Sequence, residues 1–139
     1  MQRPIAVLVA ALLTTAGASA QSYPDDPGVG VERGVEQLNN SGQVGTVTLF
    51  SRNPNTRIVV VLHGTQEGRA ESVRIYRGPS CDDLVTAPTY ELVDLKNGLS
   101  TSTVTSSEAK LLSGNYNVVV FSSTAAGART TACGHLYAS

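Results

Sequence analysis

Histidine occurs only twice in this chain, at His63 and His135, and the two lie far apart. A metal centre built from several imidazoles therefore has few donors to draw on. Charge is also sparse: charged residues make up 15% of the chain, with a formal net charge of −1 and both signs interspersed. That leaves no electrostatic footprint for nucleic acid or for an anionic membrane surface. Cysteine occurs twice, and no C-x-x-C spacing is present to suggest a redox pair or a two-thiolate metal site. No Gly-x-Ser-x-Gly elbow, glycine-rich phosphate loop, dinucleotide fingerprint or internal repeat is found. The apolar run from Ile5 to Leu13 falls well short of the roughly 20 residues that span a bilayer, so no membrane span is expected.

What is present begins with an address. Met1-Gln-Arg3 is a short basic start, the run to Leu13 follows, and Ala18-Ser-Ala20 places small residues where a signal peptidase cuts. Residues 1–20 thus read as a signal peptide cleaved near Ala20, which makes the protein secreted or periplasmic. No cysteine near that site suggests a lipid anchor. Residues 21–34 include Pro24-Asp-Asp-Pro27, lack a periodic apolar pattern and read as a flexible leader. Residues 35–139 form one domain.

That domain is rich in Val, Thr, Ser and Gly and has no Trp, which favours strands over helices. Gly45 to Phe50 alternates, residues 51–55 turn, and Arg57 to His63 is β-branched and apolar. Glu71 to Tyr76 alternates again, placing Val73 and Ile75 toward the core with Ser72, Arg74 and Tyr76 opposite. Thr89 to Leu95 and Leu99 to Ser106 continue the pattern around the hairpin signal Asn97-Gly98. Glu108 to Leu112 is compatible with a short helix, Asn115 to Phe121 reads as a central strand, and Thr131 to Ala138 as the last. About seven or eight short strands indicate a β-sandwich or flattened barrel.

In an oxidising compartment with no competing thiol, Cys81 and Cys133 are expected to form a structural disulfide. Closing a loop of about 50 residues constrains the unfolded chain by roughly 4 kcal/mol in the chain-entropy model.

Three short segments then suggest a family. Leu38-Asn-Asn-Ser-Gly-Gln-Val-Gly-Thr-Val-Thr-Leu49 resembles the opening of CHRD-type domains. Leu62-His-Gly-Thr-Gln-Glu-Gly68 is similar to the passage preceding the metal strand of copper/zinc superoxide dismutases, and Ala132-Cys-Gly134 to their second disulfide segment. The resemblance implies an antiparallel Greek-key sandwich and admits a homodimer. It also places a His-x-His pair where this chain has Arg74-Ile-Tyr76, ahead of Gly78 and Cys81, and a further copper-binding His where it has Phe121. Arginine keeps its proton and cannot ligate, and a tyrosine ligand needs a strongly lowered pKa. Residues 82–110 hold no histidine for a zinc subsite. The family's superoxide-guiding arginine stands three residues before the cysteine, where this chain has Thr130, with Arg129 one position further away.

The resulting expectation is a non-enzymatic domain with a binding or structural role toward an extracellular or envelope partner, requiring no cofactor. Two alternatives accompany it. Copper or zinc binding would need displaced ligands, with His63 and His135 converging beside Asp82 or Asp83. An anion or glycan site would use Arg69, Arg74, Tyr76 and Arg77, through guanidinium and phenol planes. Asp25-Asp26 and Asp82-Asp83 are candidate weak calcium sites, equally explained as caps, and Asn39-Asn-Ser41 is a glycosylation sequon.

Overall fold

The computed structural model describes residues 29–138. The expected signal peptide, the Asp25-Asp26 pair and the first part of the expected leader lie outside the described residues. Strands β1 (Val31–Gln37), β2 (Val44–Arg52) and β3 (Asn55–His63) come first, followed by β4 (Ala70–Glu71), β5 (Val73–Arg77), β6 (Tyr90–Glu91), β7 (Leu95–Lys96) and β8 (Leu99–Val104). Helix α1 (Glu108–Ser113), β9 (Tyr116–Phe121) and β10 (Thr130–His135) complete the chain. All strand pairs are antiparallel, in the order β4-β7-β8-β3-β2-β1-β10-β9-β5-β6.

The all-β antiparallel character and the disulfide agree with the sequence reading, but strand number and architecture do not. Ten strands form one continuous sheet curled into a half-barrel, instead of seven or eight divided between the sheets of a Greek-key sandwich. Strand β1 is the reason. Its residues Val31 to Val35 pair with β2, while Glu36 and Gln37 pair with β10, so a single strand joins both halves. Val31 to Gly34 therefore belong to a strand, not to a leader. Two glycines permit the curl. A Cβ on Gly45 would stand 1.8 Å from the Val61 carbonyl oxygen, and one on Gly134 would stand 2.5 Å from that of Gly34.

Alternation decides what lies inside. In β3 Thr56, Ile58, Val60 and Leu62 are buried, and they pack with Val47 and Leu49 of β2 and with Val73 and Ile75 of β5. The β2–β3 hairpin turns at Asn53-Pro54, whose peptide bond is cis, and β7–β8 turns at Asn97-Gly98, both residues having positive φ. Helix α1 is capped by Ser107, whose side chain accepts from the Lys110 N–H, and it buries Leu111 in the core.

The stretch 89–95, expected as one strand, is two. Strand β6 pairs with β5 in one half of the sheet and β7 with β4 and β8 in the other. Between them the Val93 N–H donates to Ser102 Oγ at 2.8 Å, and Ser100 Oγ donates to the Val93 carbonyl. Both serines are buried, so side-chain hydroxyls of β8 supply the partners that a ladder would otherwise provide. Earlier in the chain, a crossing between the same two halves occurs at Ser72, between β4 and β5.

Candidate functional site

The residues singled out by the family resemblance share the outer face of β5, β9 and β10. Register aligns Arg74 with Val119 and Val119 with Cys133; two positions along, it aligns Tyr76 with Asn117 and Asn117 with His135. After β5 the chain folds back over this face, and the Cys81–Cys133 disulfide pins it to β10 with a Cα–Cα distance of 6.2 Å. Beneath it Tyr76, Val119 and Cys133 form a second buried cluster, flanked by Leu38, Cys81, Leu84 and Phe121. Strand β9 is thus buried on both faces, which explains its unbroken apolar run.

Arg74, Tyr76 and Phe121 meet in this cluster. The Arg74 guanidinium lies 5.0 Å from the Phe121 ring centroid, a cation–π geometry, and the Tyr76 and Phe121 rings are 6.3 Å apart at 55°. Arg74 Nε also stands 3.6 Å from Glu91 Oε1, its cross-strand neighbour on β6. The Glu91 side chain is 72% exposed, so that pair contributes at most about 1 kcal/mol. This donor set does not fit copper or zinc: a guanidinium is permanently protonated and a phenyl ring offers no donor atom. Among the described residues no group of three or more His, Cys, Asp or Glu is placed to hold a metal ion.

The two histidines do not converge. His63 ends β3 and His135 ends β10, with β2 and β1 between those strands, so they lie three strand spacings, roughly 14 Å measured along the sheet, apart. The proposed arginine patch is also divided. Arg74 and Tyr76 share one face of β5, whereas Arg77 has the opposite parity and Arg69 precedes β4 in the other half of the sheet. Arg129 is exposed just before β10. Asp83 forms a bridge with Ser80 within the loop, and Asn39 Nδ2 donates to the Thr130 carbonyl at 2.8 Å.

On the other side of the disulfide a cavity of about 420 Å³ opens between β1, β10 and the loop, lined by Gly34, Glu36, Gln37, Asp82, Cys133 and His135 among others. The His135 ring is held on two sides. Its Nδ1 is hydrogen-bonded to Oδ1 of the fully buried Asn117, and its face lies 4.9 Å from the Tyr137 ring. Asn117 Nδ2 in turn donates to the Gly78 carbonyl at 2.9 Å, tying β9 to the start of the loop.

A further buried polar pair lies apart from this face. Gln43 Nε2 donates to Glu71 Oε1 at 3.0 Å, and Glu71 is 2% exposed. Burial is the larger influence and pushes the Glu71 carboxyl above its ordinary value; the Gln43 hydrogen bond and the nearby Arg69 charge pull it back only in part.

Sequence reasoning missed Asn117, Glu36 and Glu71 as residues of interest. Two of them left a trace. Asn117 is a polar residue inside an apolar strand, and Glu71 shares the inward parity of Val73 and Ile75. Glu36 left none, because a charged residue on an edge-like segment reads as surface.

No helix among the described residues is long and apolar enough to cross a membrane. Comparison with protein-family models, curated proteins and solved structures finds no match to the chain.

Proposed function

We propose that this is a non-enzymatic binding domain, secreted or periplasmic, on a framework related to the copper/zinc dismutase or CHRD-type group and lacking their metal chemistry. The observation that carries the reading is the meeting of Arg74, Tyr76 and Phe121 in one packed cluster beneath the disulfide loop. These are the three positions at which the resemblance expects imidazoles, and they come together in space although two are on β5 and one is on β9. A cation–π contact and apolar packing fill the volume that ligands would need. The Cys81–Cys133 bond is compatible with an extracytoplasmic compartment, in line with the signal-like start of the chain.

The test is metal content. The oxidised protein, incubated with copper and zinc and then freed of weakly held ions, is expected to retain less than about a tenth of an equivalent of either. Retention of a full equivalent would overturn the reading, and His63 and His135 would be the first residues to replace.

A further inference from the structure

Gln43, just before β2, meets Glu71 of β4, and both side chains are more than nine-tenths buried. One hydrogen bond joins them, from Gln43 Nε2 to Glu71 Oε1 at 3.0 Å. The two oxygens left over, Gln43 Oε1 and Glu71 Oε2, are both acceptors when the acid is ionised, and neither has a partner. Such a pair is costly to bury, whereas a proton on the carboxyl supplies the missing donor. Burial accordingly pushes the carboxyl above its ordinary value of 4.5, and the Arg69 charge offsets this only in part. The neighbouring strands bring no second charge to the pair. Leu95 of β7 stands opposite Glu71, Lys96 has the other parity, and His63, which pairs with Val44 beside Gln43, is exposed.

Glu71 also lies where the sheet is weakly held. Strand β4 is at the sheet edge, and the pairs Ala70 with Lys96 and Glu71 with Leu95 are what join it to β7. The segment around it is fastened at both ends. Gly68 donates its N–H to Asn97 Oδ1 at 2.9 Å, and Val73, just past the crossing at Ser72, pairs with Val120 of β9. Residues 69–72 can therefore move while their flanks stay in place. We infer that the Gln43–Glu71 pair is a pH-operated latch: protonated Glu71 holds β4 against β7, and loss of the proton to solvent lets the side chain turn outward and release β4. Release uncovers Leu95, 1% exposed in the closed form, and the backbone edge of β7. The direction follows from the single proton involved. The closed form binds it more tightly than the open form, where the carboxyl is hydrated, so opening is rarest below pH 4.5 and increases as pH rises. The latch is independent of the binding role proposed above and of the fate of the metal positions.

The experiment follows native-state hydrogen exchange by NMR from about pH 4 to about pH 8, corrected for the intrinsic pH dependence of exchange, in the oxidised protein and in Glu71→Gln. In the unaltered protein, opening at the β4 and β7 amides is expected to rise by up to about tenfold per pH unit above pH 4.5 and then to level, while the β2–β3 amides stay protected. Glu71→Gln, whose amide both donates and accepts, is expected to make opening of β4 independent of pH and no more frequent than in the parent at pH 4.5. A second readout needs no variant. The Glu71 carboxyl carbon is expected to titrate above 4.5, with its midpoint where the rise in opening levels. Opening that does not change with pH, a pH slope that survives in Glu71→Gln, or a parallel loss of protection in β2–β3 would each overturn the inference. So would a Glu71 carboxyl that titrates at 4.5 in the folded protein.

Discussion

Glu71 is the residue at which burial and ionisation conflict most directly. Its Oε2 and the Oε1 of Gln43 are buried with no hydrogen-bond partner, while the other two polar atoms of the pair bond each other. A proton on Glu71 supplies the donor that this arrangement lacks. Because the folded carboxyl titrates above its ordinary value of 4.5, this group's contribution to stability is fully present below that value. It is lost as pH rises through the higher folded value. Glu71→Gln replaces the acid with a neutral amide that can both donate and accept. It is expected to raise stability at pH 7 by about 1–2 kcal/mol and to flatten the dependence above pH 4.5, read from denaturant midpoints across the pH range. A variant that is less stable than the parent at neutral pH would contradict this account. Asn117 tests the opposite case, a satisfied buried group. Asn117→Ala strands the Gly78 carbonyl and frees the His135 ring, and a loss of about 2–3 kcal/mol is expected, together with a changed His135 ring environment by NMR. Arg74→Ala removes an exposed ion pair and one cation–π contact, so it should cost no more than about 1–2 kcal/mol.

Among the elements, the crossing segment between β6 and β7 depends on two hydroxyls instead of a ladder. Replacing Ser100 and Ser102 by alanine leaves the Val93 N–H and carbonyl without these partners, and about 1 kcal/mol per bond is the expected loss. Hydrogen exchange at Val93 should accelerate while the β2–β3 amides stay protected; equal protection in the variant and its parent would contradict the role given to the two hydroxyls. This arrangement also explains what the sequence could not reveal. The interiors of β2, β3, β5, β8 and β9 were legible because alternation or an unbroken apolar run marks each of them. The two-residue strands β4, β6 and β7 are too short to leave a period. Strand β1 was hidden because Val31 and Val35 are separated by Arg33 and Gly34. That Arg74 and Tyr76 share one face of β5 was legible from its alternation; that Phe121 of β9 meets them there follows only from the strand pairing. The cavity was not legible, because Glu36, Asp82 and His135 come from three separate segments joined only by pairing and the disulfide.

For the whole molecule, the disulfide and the continuous sheet act on the same junction. Cys81 and Cys133 are separated by 52 residues, so reduction releases a large loop at β10, opposite Glu36 of the strand that bridges the two halves. The expected loss is roughly 4 kcal/mol, against a total of about 5–15 kcal/mol for a domain of this kind. Thermal unfolding with and without reductant should show it, and an unchanged midpoint after verified reduction would contradict the assigned role. The central proposal is that Arg74, Tyr76 and Phe121 fill positions that hold metal ligands in a related framework, and copper content measured side by side in two proteins addresses it most directly. One is the unaltered protein, and the other carries Arg74→His, Tyr76→His and Phe121→His, with strand content and the disulfide verified in both. The account predicts less than about a tenth of an equivalent in the first and near one equivalent in the second. Copper retained by the unaltered protein, or a folded triple variant that binds none, would contradict it.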